Sequence, residues 1–247
     1  MAMSVRANYL TGVVKSMYSI GLAACVIFAL PSCANDEMDA KVILQKSIDS
    51  YSTLKSYRAS WSFSLDKDGK VLTMANEVKS KGKRQVYFHV YPKSNNQTDP
   101  GEIPELLAVI DGKTAWFELA ANKTYYKVDL PKDATISPLL FFPSIAGAKD
   151  PTKKPDGHFR DRDVYVIVTE ANQTSATQVA IDKSTMHIAQ FVKVSTDTGS
   201  TATTTITIDK EEYDKDISDK EFTYKPPKGF KEVPAPPDAA AIFGKQS

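Results

Sequence analysis

Residues 57–65 read YRASWSFSL, and this stretch decides the class of fold. Large residues occupy every second position, and small or polar residues lie between them. A period of two residues is typical of a β-strand that buries one face, so the stretch predicts a half-buried strand with an aromatic face. Further strand-like segments follow, including residues 106–111 and 114–119 around the turn signal Asp111-Gly112. Many strands with few helices between them predict a large antiparallel sheet, curved or closed.

A single helix is predicted ahead of the sheet. Residues 39–56 place apolar side chains at three- and four-residue steps, as at Ile43 and Tyr51. No repeat and no linker interrupts the residues that follow. We therefore expect one domain over residues 34–233, followed by a Pro/Ala-rich and poorly ordered tail at 234–247.

The N-terminal segment, residues 1–33, differs in composition from the rest of the chain. Arg6 and Lys15 are the only charged residues before Asp36, and residues 17–30 are almost wholly apolar. A basic start followed by a short apolar stretch is the pattern of a secretory signal. The apolar stretch is shorter than the ~20 residues that a membrane-spanning helix needs. The segment therefore predicts export.

The end of this segment, Leu30-Pro31-Ser32-Cys33, resembles a bacterial lipobox. The motif implies diacylglyceryl transfer to Cys33 and cleavage ahead of it, with Cys25 removed as part of the signal. Ala34 is not the aspartate that retains lipoproteins in the inner membrane of enteric bacteria, which favours the outer membrane. The alternative is an ordinary secretory signal that ends near a cysteine.

Composition and motifs give little support for catalysis or for nucleic-acid binding. The chain carries 31 Lys+Arg against 30 Asp+Glu, whereas nucleic-acid binders usually have a clear basic excess. It lacks a Gly-x-Ser-x-Gly elbow and a glycine-rich phosphate loop. His89, His158 and His187 lie far apart in sequence, so a hydrolase would require the fold to gather them beside a carboxylate. We expect no catalytic residue, no metal and no cofactor.

An apolar segment interrupts the strand pattern at residues 135–147 (TISPLLFFPSIAG). Pro138 can start a short helix and Pro143 limits its continuation. Between them lie four consecutive apolar residues, Leu139, Leu140, Phe141 and Phe142. In a polar region such a cluster is either a plug in the core or a mobile lid over an apolar cavity.

The order of these parts resembles the LolA/LolB-like lipoprotein carriers. The resemblance rests on a helix that ends in YSTLKSY (residues 51–57), on VAIDKST (179–185) before a hairpin, and on ISDKEFTYKPPKG (217–229) at the close. It spans roughly residues 39 to 233. It implies a mainly β fold with helices (α+β), namely a half-open antiparallel β-barrel with an α-helical lid over a hydrophobic cavity. Such carriers use no cofactor and catalyse no covalent step.

The resemblance also implies which residues form the site. Four aromatic residues would line the concave face: Trp61, Phe63, Phe88 and Trp116. Leu139, Leu140, Phe141 and Phe142 would belong to the lid. Arg58 lies near the position of a lid-latching arginine, although it alternates away from Trp61. The alternative is that the aromatic residues simply fill the core, as strand aromatics usually do.

We therefore expect a lipid-anchored protein, held in the outer membrane through acylated Cys33 and facing the periplasm. It would bind acyl chains of lipoproteins or other lipids in a hydrophobic cavity, for their sorting or transfer in the cell envelope. The alternative is an envelope sensor or scaffold that uses the same fold to bind a protein partner. A contiguous apolar patch on the exposed surface would favour the alternative.

Overall fold

The structure is a computed structural model, and it describes residues 38–92, 105–142, 145, 148–172, 174–197, 200–237, 239 and 243. The predicted signal segment at residues 1–33, with Cys33, lies outside the described residues. Its processing and acylation stay predictions. Within the described residues, no helix is both long and apolar enough to cross a membrane.

The described part of the chain contains one long helix and a succession of strands. The α-helix is α1 (Ala40–Ser52). The strands are β1 (Ser56–Lys67), β2 (Lys70–Lys81), β3 (Gln85–Pro92), β4 (Leu106–Asp111), β5 (Thr114–Leu119), β6 (Thr124–Asp129), β7 (Thr152–Lys153), β8 (Gly157–Phe159), β9 (Arg162–Ala171), β10 (Ser175–Asp182), β11 (Ile188–Asp197), β12 (Ser200–Tyr213) and β13 (Lys231–Glu232). Short 3-10 helices occupy Ala120–Asn122, Pro138–Phe141 and Asp219–Phe222.

These strands form one open sheet. Neighbouring strands are hydrogen-bonded in the order β13-β6-β5-β4-β3-β2-β1-β12-β11-β10-β9-β7, and β8 pairs with β9. The sheet is antiparallel apart from the parallel pair of β13 and β6. Because the order starts and ends on different strands, the sheet is not closed. The predicted fold class, a mainly β protein with an open antiparallel sheet and a helix, is confirmed.

The chain divides into two compact units. Unit A contains the described residues up to Ser52, together with Phe63–Leu72 and Phe141–Ile208. Unit B contains Thr53–Ser62, Thr73–Leu140 and the residues from Asp209 onward. Strands β1, β2 and β12 have residues in both units.

In unit A, α1 is amphipathic as predicted. Its buried side chains are Ala40, Ile43, Leu44, Ser47 and Tyr51. The Asp39 side chain accepts a hydrogen bond from the Lys41 backbone N–H at 3.2 Å, which satisfies one free donor of the first turn.

The last turn of α1 is tied to the start of β11 through Tyr51. Its ring stacks on His187, with centroids 4.6 Å apart and planes 23° apart. The backbone N–H of Ile188 donates a hydrogen bond to the buried Tyr51 hydroxyl at 3.0 Å. Tyr51 therefore contributes both apolar packing and a polar contact at one point.

One face of β9–β12 in unit A is apolar at its centre. The register places one large residue of each strand opposite the next, and all four are buried: Ile167, Val179, Phe191 and Ile206. We name this surface the Phe191 face. Side chains that lie opposite one another in an antiparallel pair point to the same side of the sheet, so these four pack together.

In unit B the register separates two chemically different faces. The Phe88 face carries Val78, Phe88, Ala108, Phe117 and Tyr126, which lie opposite one another across β2–β6. The Trp116 face lies on the other side of the same strands and carries Lys79, Tyr87, Val109, Trp116 and Lys127. The first face is apolar, whereas the second mixes aromatic rings with cations.

Part of the C-terminal tail packs onto unit B. Ala239 and Phe243 are buried, and the Phe243 ring lies 6.2 Å from that of Phe117. These two residues cover part of the apolar Phe88 face, and the order of the tail as a whole stays a prediction.

We predict that Tyr51→Phe lowers the free energy of unfolding by about 1–3 kcal/mol, because the Ile188 N–H loses a buried acceptor while the ring still packs on His187. Chemical denaturation followed by circular dichroism measures this change. Tyr91→Phe is the control, since Tyr91 is exposed. An equal and small effect of both substitutions would contradict the anchoring role of the Tyr51 hydroxyl.

Candidate functional site

Two of the predicted lining aromatics meet on one face of unit B. Trp61 is 3% exposed, and its ring lies 6.5 Å from that of the half-buried Phe88, at 55°. Phe63 is half-buried on the part of β1 that belongs to unit A. Trp61 and Phe88 thus extend the apolar Phe88 face, and a ligand-binding role for the three residues stays a prediction.

Trp116 lies on the opposite face of the sheet. It is the cross-strand partner of Val109, whereas Phe88 is the partner of Ala108. A shift of one residue along a strand moves a side chain to the other side, so the expectation that all four aromatics line one face is wrong for Trp116.

The C-terminal segment covers Trp116 on its own face. The Tyr224 ring lies 5.4 Å from the Trp116 ring, and Tyr125 lies 6.1 Å from it. The Tyr224 hydroxyl donates a hydrogen bond to Glu118 at 2.8 Å. Burial and this hydrogen bond raise the pKa of Tyr224 well above its ordinary value, so the hydroxyl stays protonated and the cover stays uncharged.

The short helix that the sequence predicted to start at Pro138 is observed as a 3-10 helix over Pro138–Phe141. In unit B, Leu139 is buried and its backbone N–H donates to the Ser137 hydroxyl at 3.2 Å. In unit A, Phe142 is 1% exposed and its ring lies 6.0 Å from Phe191. The side chains of Leu140 and Phe141 lie outside the described part. Phe142 therefore covers the Phe191 face, and the opening of a lid here stays a prediction.

Arg58 binds a partner that the sequence did not reveal. Its guanidinium donates to both carboxylate oxygens of Glu221, at 3.0 and 3.3 Å. Glu221 also accepts from Lys79 at 2.9 Å, and Lys79 in turn contacts Glu77 at 3.0 Å. The Lys79 ammonium lies 4.5 Å from the centre of the Tyr87 ring. Arg58 thus holds the C-terminal 3-10 helix, and its role as a lid latch stays a prediction.

This ion-pair network sets the protonation of its members. The hydrogen bond from Lys79 lowers the pKa of Glu221 against the opposing effect of burial, and the charges of Lys79 and Arg58 add to it. Burial by itself disfavours the charged form of Lys79, but its hydrogen bonds to Glu221 and Glu77 outweigh it and raise the pKa of Lys79. Both groups therefore stay charged over the neutral range.

The Phe191 face has a polar end that sequence reasoning missed. One row along from Phe191, the register aligns three buried residues, Thr177, Lys193 and Thr204, and it places Glu170 opposite Thr177. The alternation of residues 187–195 (HIAQFVKVS) was a usable signal, because it puts Lys193 in phase with Phe191.

The three histidines do not share a site. In unit B, His89 contacts Glu105 at 2.8 Å. In unit A, the exposed His158 contacts Asp163 at 3.1 Å, and the buried His187 stacks on Tyr51. Among the described residues, no three His, Cys, Asp or Glu side chains are grouped as a metal site requires. The hydrolase alternative therefore has no cluster to support it in this part of the chain.

A polar cavity of about 380 Å³ lies in unit A at the turn after β10. It is lined by Asp161, Arg162, Asp163, Asp182, Lys183 and Ser184. The Asp182 carboxylate accepts hydrogen bonds from Ser184 and from the Thr185 N–H, which lower the pKa of Asp182 although burial acts against them. These hydrogen bonds stabilise a turn, which accounts for the VAIDKST motif. The lining of the cavity is charged, so the cavity does not fit an acyl chain.

No protein-family model and no curated protein matches the chain. Solved structures with a similar fold include an uncharacterized conserved protein from Thermus thermophilus, at 12% identity and a TM-score of 0.50, covering 76% of this chain and 97% of that one. A LolA superfamily protein from Nitrosomonas europaea has 12% identity and a TM-score of 0.39, covering 76% and 98%. The MucA/MucB complex of Pseudomonas aeruginosa has 13% identity and a TM-score of 0.44, covering 75% and 61%.

At these identities the likeness concerns the fold. As the sequence resemblance predicted, the similar structures include LolA superfamily proteins.

We predict that Glu221→Gln lowers the free energy of unfolding by about 1 kcal/mol at pH 7, because Arg58 and Lys79 lose their shared carboxylate. The folded state depresses the pKa of Glu221, so this stabilisation is present above the ordinary pKa of a glutamate, about 4.3. It is lost as the pH falls through the lower folded value. Urea denaturation of both proteins from pH 3 to 7 measures the difference.

Glu212→Gln is the matched control. Glu212 pairs with Lys210, whose side chain is 72% exposed, so its loss should leave stability unchanged. A Glu221→Gln effect that stays constant down to pH 3 would show that the carboxylate charge is not its cause.

Proposed function

We propose that this chain is a lipid-anchored envelope protein that binds acyl chains of lipoproteins or other lipids, for their sorting or transfer. The observation that carries the proposal is the contact of Phe142 with Phe191. It joins the segment predicted as a lid to an apolar sheet face, within one compact unit.

The Phe191 face offers the chemistry that an acyl chain requires. Its central residues from four adjacent strands are aliphatic or aromatic, and they are buried. Phe142 comes from a segment bounded by Pro138 and Pro143, which is held to this face through side-chain packing. An acyl chain that displaces the Phe142 ring would gain about 0.8 kcal/mol for each methylene it buries, which offsets the cost of moving one ring.

The anchor would act through Cys33. Only the six residues 34–39 separate this cysteine from α1, so acylation would hold the protein close to the membrane surface. Ala34 supports an outer-membrane address, with the protein facing the periplasm. A binding face near a bilayer suits a protein that receives or delivers lipid.

The first test is denaturing lipid extraction and mass spectrometry of the full chain carrying Cys33→Ser, purified from a bacterial periplasm. We expect a co-purifying lipid at a stoichiometry near one. A stably folded protein without lipid would contradict the proposal and favour the alternative, an envelope sensor or scaffold that binds a protein partner.

We further predict that Phe142→Leu increases the affinity for a neutral apolar dye about five-fold. The substitution removes roughly 1 kcal/mol of the packing free energy that keeps the Phe191 face covered. Because the dye binds only to the uncovered face, its affinity rises by the factor of about five to which this free energy corresponds. Fluorescence titration of the Cys33→Ser protein, with and without Phe142→Leu, measures the change.

Phe222→Leu is the matched control, because Phe222 is also 1% exposed but lies in unit B, whereas the Phe191 face lies in unit A. We expect it to lower stability by a similar amount without altering dye affinity. Equal gains in dye affinity from both substitutions would indicate general loosening instead of a lid.

A further inference from the structure

The Phe88 face of unit B is covered in part by the tail, residues 234–247. The ring of Phe243 lies 6.2 Å from that of Phe117, at 38°, and Phe117 stacks on Tyr126 with centroids 4.9 Å apart. Phe243 and Ala239 are both buried. Two side chains of the tail therefore lie over an apolar sheet face, where apolar groups gain free energy by leaving water.

The contact between the tail and this face is made by side-chain packing. The backbone N–H of Val233 donates to the Tyr125 oxygen at 2.9 Å, and residues 234, 236 and 237 are prolines, which have no N–H with which to extend the pairing of β13 and β6. The Ala239 N–H donates within the tail, to the Pro236 oxygen. Among the residues that the structure describes, no hydrogen bond or ion pair joins positions 234–243 to the strands.

The apolar surface continues beyond the part that Phe243 covers. Val90, Leu106 and Leu119 lie opposite one another on β3, β4 and β5, and all three are half-buried. Each lies two residues along its strand from a member of the Phe88 face, so this row is on the same side of the sheet. Solvent therefore reaches an apolar row that adjoins the covered one.

We propose that the tail is an internal competitor for acyl chains on the Phe88 face. In the covered state, the Phe243 ring occupies the place beside Phe117. When the ring leaves, an acyl chain takes that place and extends over the row of Val90, Leu106 and Leu119. This inference rests on the proposed function, because it assigns a second and tail-regulated surface to the same class of ligand.

The chemistry of the two rows favours an acyl chain as the occupant. The row of Val90 ends at Asn76 on β2 and at Thr124 on β6, so the register of β2–β6 places no charged residue in it or in the row of Phe88. A charged ligand gains no ion pair from such a surface. A flexible hydrocarbon chain gains apolar contacts on both rows, which are about 7 Å apart.

The position of the competitor in the same chain gives it an advantage over a free ligand. A tethered group has a high effective concentration at its site, so even a weak contact keeps the site occupied. The apparent affinity for an acyl chain is then reduced in proportion to the fraction of molecules in which the face is uncovered. Loss of the Phe243 ring should remove this reduction.

Trp61 makes binding at this face observable. Its ring lies 6.5 Å from that of Phe88, and the chain has only one other tryptophan, Trp116, which lies on the opposite face. The test uses the full-length protein with Cys33→Ser and Trp116→Phe, so that Trp61 is the single tryptophan. The probe is dibromostearate below its micellar concentration, because bromine quenches tryptophan fluorescence at short range. Unbrominated stearate corrects for changes other than contact with bromine.

Phe243→Ser should raise the affinity for dibromostearate, measured by quenching of Trp61, about ten-fold. Ala235→Ser is the matched control, because it introduces the same hydroxyl at an exposed position of the tail, and it should leave the affinity within about two-fold. If Phe243→Ser fails to fold, Phe243→Leu keeps the inference testable. Leucine retains part of the apolar contact, so we expect a gain of about three-fold.

The outcomes separate this inference from the proposed function. Equal quenching affinity with and without the Phe243 substitutions, or an equal gain from Ala235→Ser, would overturn the competition by the tail and leave acyl binding standing. Absence of quenching in every variant, while a neutral apolar dye still binds, would overturn the assignment of the Phe88 face. Absence of quenching, of dye binding and of co-purifying lipid together would contradict the proposed function itself.

Discussion

Cross-strand register is the constraint on which the rest of this structure depends. In an antiparallel ladder, residues that lie opposite one another share a face, and their neighbours along the strand take the other. In unit B this rule puts Phe88 and Phe117 on an apolar face and Tyr87 and Trp116 on a mixed one. A slip of one residue between β3 and β4 would put Phe88 and Phe117 on opposite faces of the sheet. Each face is therefore defined only when all of its strands pair correctly.

The faces are covered by segments distant in sequence, and the chemistry of each cover matches the face below it. The apolar Phe88 face receives the Phe243 ring, and the Phe191 face receives Phe142. On the mixed face, Glu221 neutralises Lys79, and Tyr224 packs on Trp116 with a hydrogen bond to Glu118. An ion pair with several hydrogen bonds is directional, whereas ring packing on an apolar surface is not. The two kinds of cover therefore differ in how strictly the geometry of the contact is set.

Most of the longer strands were predictable because their signals are local. The apolar residues of 106–111 and 114–119, with the turn Asp111-Gly112 between them, give β4 and β5 with the observed bounds. Sequence could not show that Trp116 and Phe88 lie on opposite faces, because each looks like a strand aromatic and only the register relates them. Nor could it pair Arg58 with Glu221, since the two are brought together by tertiary packing.

The buried end of the Phe191 face combines two demands that oppose each other. Burial of apolar side chains favours a uniform row of residues such as Phe191, whereas the buried polar residues Lys193 and Thr177 require interactions with other groups of the protein, which they make. Threonine and valine have nearly the same shape, so packing alone does not require Thr177 and Thr204 beside the lysine. The register also aligns Glu170 with Thr177, so this row of the sheet places an acidic and a basic residue on either side of a threonine.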